Sequence, residues 1–106
     1  MVKKLLLILF LLISVMAFSQ EKTIDKLVTS PNPFVNSTTI SFEANQPQEA
    51  FFIVKNVLGK TVYNKVIKVK EGRNTIPFQK NDLKSGMYIY AIQTVNKTHS
   101  KRFVIK

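Results

Sequence analysis

A chain that did chemistry would need side chains able to hold a metal, move a proton or attack a carbonyl, and this sequence of 106 residues offers few of them. It has one histidine, His99, and no cysteine. His99 falls in a polar stretch, "NKTHS", where a solvated turn side chain is expected rather than a ligand or a base. Its neighbour Ser100 makes no triad with it, because adjacent residues on a strand point to opposite faces. The six acids, Glu21, Asp25, Glu43, Glu49, Glu71 and Asp82, show neither paired nor EF-hand spacing. Three glycines, Gly59, Gly72 and Gly86, are too far apart to cradle a phosphate. No catalytic set, no metal and no cofactor is therefore expected.

The abundant charged chemistry is cationic: 16 Lys and Arg stand against 6 acids. Lys65, Lys68, Lys70 and Arg73 gather along one stretch, and Lys97, Lys101, Arg102 and Lys106 along the last. Single-stranded nucleic acid would want aromatic rings interleaved on the same open face. Only Tyr63 lies near the first group, and Phe103 near the second reads as core, so nucleic acid is not expected. Anionic surfaces such as lipopolysaccharide remain compatible with the charge, and so does a solvated surface that blocks edge aggregation.

The elements that would position these residues begin after a leader. Lys3 and Lys4 precede the apolar run "LLLILFLLISV", and Ala17 and Ser19 supply the small residues a signal peptidase reads. Residues 1–19 are expected to be a secretory signal peptide, cut after Ser19. The run is short for a membrane span and is followed by Gln20, Glu21 and Lys22, so no transmembrane segment is expected after cleavage. Without Lys3 and Lys4 the remaining chain carries 14 basic and 6 acidic residues, a net +8. It lacks cysteine for disulfides or lipid attachment, so its core alone must hold it together.

From Gln20 onward no helical period is sustained, and two-residue alternation recurs. "TIDKLVTS" reads as a first strand, stopped by Pro31 and Pro33. "STTISFEA" alternates, with Ile40 and Phe42 on one face. In "EAFFIVK", Ala50, Phe52 and Val54 should face the core. Phe51 and Ile53 on the other face are also apolar, so a neighbouring element is expected to cover them, the alternative being a contact surface. "NVLGK" turns at Gly59, "TVYNKVIKVK" is a long strand with room for a bulge, and "EGRN" is expected to close a hairpin. Pro77 confines "TIPF" to an edge or an irregular position, and "NDLKSG" drops Leu83 inward before turning at Gly86. "MYIYAIQTV" is the strongest strand by composition, and "SKRFVIK" is the last. The tripeptides "NST" and "NKT" are read as polar turns rather than glycosylation sites. About seven short strands at near ten-residue spacing predict an all-β, immunoglobulin-like antiparallel sandwich.

With "SPNPF", "VLGK", "EGRN", "LKSGMYIY" and "KRFVIK" in this order, the sequence resembles the type A C-terminal sorting domain of the type IX secretion system of Bacteroidota. The resemblance runs from Leu27 to Lys106 and leaves residues 20–26 as a short N-terminal segment. Pro31, Asn32, Pro33 and Phe34 match the opening motif of that family, and Gly59 and Lys60 its mid-domain pair. Gly72 and Asn74 match a hairpin glycine with its asparagine, Leu83, Gly86 and Tyr88 an "L..G.Y" element, and Lys101, Val104 and Lys106 the basic terminal strand. The resemblance implies a non-catalytic sorting signal, exported to the periplasm and recognised by the outer-membrane translocon for secretion or surface display. It further implies, for the usual member, removal by a sortase-like peptidase that joins the cargo to anionic lipopolysaccharide. Such domains normally trail a cargo, for which residues 20–26 leave no room. Two alternatives therefore stand beside the sorting signal: a small periplasmic or surface protein-binding module, or the remnant of a longer secreted protein.

Overall fold

The computed structural model describes residues 21–106, and the expected signal peptide lies outside the described residues. The described residues form seven strands: β1 (Ile24–Ser30), β2 (Ser37–Ala44), β3 (Gln48–Asn56), β4 (Thr61–Val69), β5 (Gly72–Gln79), β6 (Gly86–Gln93) and β7 (Thr98–Ile105). They pair antiparallel in two sheets, one ordered β1-β2-β5 and the other β4-β3-β6-β7. This is the expected all-β sandwich. β1 begins inside the 20–26 segment, where Ile24 is already buried and pairs with Ala44.

Alternation builds the core as predicted. Ile40 and Phe42 from one sheet and Ala50, Phe52, Val54, Tyr88, Tyr90, Ile92, Phe103 and Ile105 from the other are buried between the layers. Phe78 sits at the middle of an aromatic cluster, with ring centroids 6.3 Å from Phe34, 5.9 Å from Phe52, 5.3 Å from Tyr63 and 5.4 Å from Phe103. Edge-on aromatic contacts of this kind add to what area burial supplies. In a domain without disulfides they carry much of the cohesion.

Four expectations need correction. "EGRN" closes no hairpin: β4 and β5 lie in different sheets, so the stretch is a corner by which the chain crosses the sandwich. β5 pairs with β2 from Ala44–Gly72 to Ser37–Gln79, making it longer than "TIPF", with Pro77 on an edge strand as its missing N–H requires. His99 is in β7 opposite Ile92 and is half-buried, not in a turn. The outward face of β3 is uncovered: Phe51 keeps 47% of its surface, and no other described element lies over it.

The expected irregularity in β4 is a bulge. Val54 pairs with Tyr63 but Lys55 with Thr61, which leaves Val62 as the extra residue. A second bulge in β1, between Asp25 and Val28, holds Lys26 at a φ of 55° and turns Leu27 into the core. Each bulge twists an edge strand and blunts its capacity to add a further strand.

Candidate functional site: the terminal strand and its clamp

Strand order and register place the residues singled out above at two ends of the sandwich. One end gathers the close of β1, the start of β2, the close of β3, the start of β6 and the close of β7. Pro31–Phe34, Gly59, Lys60, Leu83, Gly86, Tyr88, Val104 and Lys106 all belong there. Gly72 and Asn74 are at the opposite end, and Lys101 lies between the two, opposite Tyr90.

At the first end "SPNPF" binds the last strand. β7 is an edge of its sheet, so every second N–H and C=O along it points away from β6. The Asn32 side chain meets two of these groups at once. Its Oδ1 accepts from the Val104 N–H at 3.0 Å, and its Nδ2 donates to the Arg102 carbonyl at 3.3 Å. An amide is the side chain that can both accept and donate across such a pair. Two residues on, the Phe34 N–H donates to the Val104 carbonyl at 3.0 Å, and its carbonyl accepts from the Lys106 N–H at 2.8 Å. Phe34 thereby forms a parallel bridge with Ile105, an extra rung beyond β7.

The prolines suit this arrangement because each fixes φ and carries no N–H that would need a partner. Both the Ser30–Pro31 and the Asn32–Pro33 peptide bonds are cis. The Pro31 carbonyl accepts from the Thr38 hydroxyl at 2.7 Å, tying the segment back to β2. The Phe34 ring is buried, edge-on to Phe103 at 5.2 Å. Backbone pairing and core packing thus act on the same residue.

The other motif residues hold turns. Gly59 has a φ of 83°, a conformation only glycine adopts freely, and its N–H donates to the Asn56 carbonyl at 3.0 Å. Asn56 Oδ1 accepts from the N–H groups of Leu58 and Lys60, both at 3.0 Å, so it is the backbone of Lys60 that the turn uses. Asn74 closes the corner between the sheets: its amide accepts from the Lys70 N–H at 3.0 Å and donates to the Lys70 carbonyl at 2.9 Å. The Tyr88 hydroxyl donates to the Lys84 carbonyl at 2.7 Å, while Leu83 packs on the core; this pairing explains the "L..G.Y" spacing. Asn56 escaped the sequence reading, although an asparagine three residues before a glycine is a turn signal.

Charge sits outside this framework. Lys101, Arg102 and Lys106 are exposed, and Lys101 faces the core side of its sheet although its side chain reaches solvent. An inward-facing cation on an edge strand discourages pairing with another chain. Burial pushes the Tyr90 phenol above its ordinary value; the Thr29 hydroxyl nearby opposes this, but makes no hydrogen bond of standard geometry. Among the described residues no group of three His, Cys, Asp or Glu stands close enough to hold a metal ion. Nothing in this geometry aligns a nucleophile with a base.

The family profile described as "Secretion system C-terminal sorting domain" matches residues 30–106. Among solved structures the chain is similar to dimeric latent PorU from Porphyromonas gingivalis, with a TM-score of 0.66 and 13% identity, over 83% of this chain and 10% of that one. It therefore spans about a tenth of PorU, and the likeness concerns the fold. A β-glucosidase from Listeria innocua matches at a TM-score of 0.42 and 9% identity, over 82% of this chain and 16% of that one. No curated protein matches. The matched residues open at Ser30, run through the clamp and end on the strand it holds: the chain belongs to the secretion system C-terminal sorting domain family, the type IX sorting domains that its sequence resembles.

Proposed function

We propose that this domain is a non-catalytic address: the chain is exported to the periplasm by the general pathway, then read by the type IX translocon and passed to the surface or the medium. The translocon reads the terminal strand through the cations carried along it, Lys101, Arg102 and Lys106. The observation that supports this reading is the clamp. "PNPF" fixes the last residues of the chain in one conformation, as a feature read from outside requires. In members with a cargo, a sortase removes the domain and anionic lipopolysaccharide receives the cargo; the basic surface suits such an anionic neighbourhood.

The test is where the protein goes. In native cells the species from Gln20 to Lys106 should be outside when the translocon works and in the periplasm when it does not, as mass spectrometry of the fractions would show. Deleting Phe103–Lys106 should also trap it, but that deletion removes core residues. Reversing Lys101, Arg102 and Lys106 together to Glu leaves the core intact and should trap it as well. Normal secretion of the reversed variant would overturn recognition through these cations.

A further inference from the structure

The outer faces of the two sheets differ. On the β1-β2-β5 sheet, Ser30, Thr39, Thr75 and Gln79 point outward, with a Lys26–Glu43 ion pair at 3.2 Å, and Val28 and Pro77 are the apolar exceptions. On the other sheet the register aligns a diagonal of apolar side chains. Val66 pairs with Phe51, Ile53 with Ala91, and Met87 with Val104, while Ile89 joins the last two pairs along β6. Phe51, Val66, Met87 and Ile89 keep 47%, 57%, 45% and 39% of their surface exposed. Scattered apolar residues on a surface are ordinary, but a connected patch marks a contact.

The rim of this patch is cationic. Lys55 lies opposite Ile89 on one side, Arg102 on the other, and Lys68 follows Val66 along β4. Among the described strand residues Glu49 is the one carboxylate on the face, and none of Lys55, Lys68 or Arg102 is in an ion pair. A second copy of the chain would set like charges against each other. One shallow cleft reaches the patch only at Val66 and Lys68 on its β4 margin, and the centre of the patch has no fixed polar group that could orient a specific protein partner. What remains is a flat apolar surface ringed by long flexible cations, which suits an interface that is apolar beneath and anionic on top.

We infer that the outer face of the β4-β3-β6-β7 sheet binds the surface of an anionic phospholipid bilayer, seating Phe51, Ile53, Met87 and Ile89 among the headgroups with Lys55, Lys68 and Arg102 on the phosphates. This goes beyond the sorting reading and does not depend on it. Binding should need both parts: each cation is worth about fivefold at an anionic surface, so salt that screens the charges should weaken it.

The chain has no tryptophan, so one can be placed as a reporter. The chain from Gln20 onward holds every described strand and the whole described core, and avoids interference from the apolar leader. Phe51→Trp probes the proposed face and Thr39→Trp the opposite one. Vesicles of phosphatidylcholine with phosphatidylglycerol should shift the Phe51→Trp emission to the blue, and vesicles of phosphatidylcholine alone should not. Thr39→Trp should stay unshifted, and adding Lys55→Glu and Arg102→Glu should weaken binding at least tenfold. No shift at Phe51→Trp, or equal shifts at both reporters, would overturn the inference; so would a response to lipopolysaccharide but not to phosphatidylglycerol. Secretion that fails in a variant that still binds vesicles would bear on the address reading alone.

Discussion

The two halves of β7 belong to one strand at one sheet edge, yet their outward backbone groups meet different fates. From the Arg102 carbonyl to the Lys106 N–H they are taken by Asn32 and Phe34 of the same chain. From Thr98 to Lys101 the edge has β1 beside it, across a cleft lined by Leu27, His99 and Lys101, but no described segment pairs with it, and Lys101 on the core side of the sheet takes the place of a partner. Both devices prevent unwanted strand addition, one by occupation and the other by charge. The clamped half is bound into the core through Phe34 and Phe103, whereas the charged half lies beside β1 and keeps Lys101 exposed. A reader of this domain would therefore find the terminal residues presented in fixed positions, with the exposed Lys101 beside them.

Removing the ring that joins the clamp to the core should break this contrast most completely. Phe34→Ala empties a buried site bounded by Phe78 and Phe103, and the cost of such truncations is about 3–5 kcal/mol. Urea unfolding of residues 20–106 should show a loss in that range. A loss below about 1 kcal/mol would mean that the clamp is held by its hydrogen bonds and not by the core.

A narrower change separates the two halves directly. Asn32→Ala removes a partner from the Val104 N–H and the Arg102 carbonyl, both near solvent, and should cost about 1 kcal/mol. Hydrogen exchange is the sharper readout. The Val104 amide should exchange slowly in the wild type and speed up in the variant, while the outward Ser100 amide is fast in both. If Val104 is unchanged by the substitution, the asparagine does not clamp the strand. Asn32→Asp should behave like Ala or worse, because the carboxylate cannot donate to the Arg102 carbonyl.

Much of the sandwich was legible in the sequence because alternation is a local signal. The inward set Ala50, Phe52 and Val54, the edge position of Pro77 and the burial of Phe103 all follow from spacing and residue type. The corner at "EGRN" was not, because a turn glycine marks a reversal without saying whether the next strand joins the same sheet. Only the pairing of β5 with β2 decides that. The clamp was beyond local reading for a similar reason: Asn32 and Val104 are 72 positions apart, and proline and asparagine signal a turn but not what the turn holds. The open face of β3 misled in the opposite sense. Apolar residues on both sides of a strand suggest cover, whereas here one side is left to solvent.

The smallest effect concerns the charged half, where Tyr90 lies opposite Lys101 in the β6–β7 pair. Its phenol is buried and stacked on Phe103 at 5.3 Å, and burial pushes its pKa above the ordinary value near 10. Below that value the phenol is protonated in both the folded and the unfolded chain, so its contribution to stability is fully present. As the pH rises past about 10 the unfolded chain releases the proton while the folded chain still holds it, and stability falls. Tyr90→Phe should leave stability at pH 7 nearly unchanged, since the hydroxyl makes no good hydrogen bond to Thr29, and should flatten the decline above pH 10. Denaturant midpoints across that range compare the two proteins directly. Parallel declines would show that the Tyr90 phenol ionises as readily in the folded chain as in the unfolded one, and that the core beneath the charged half of β7 is open to water.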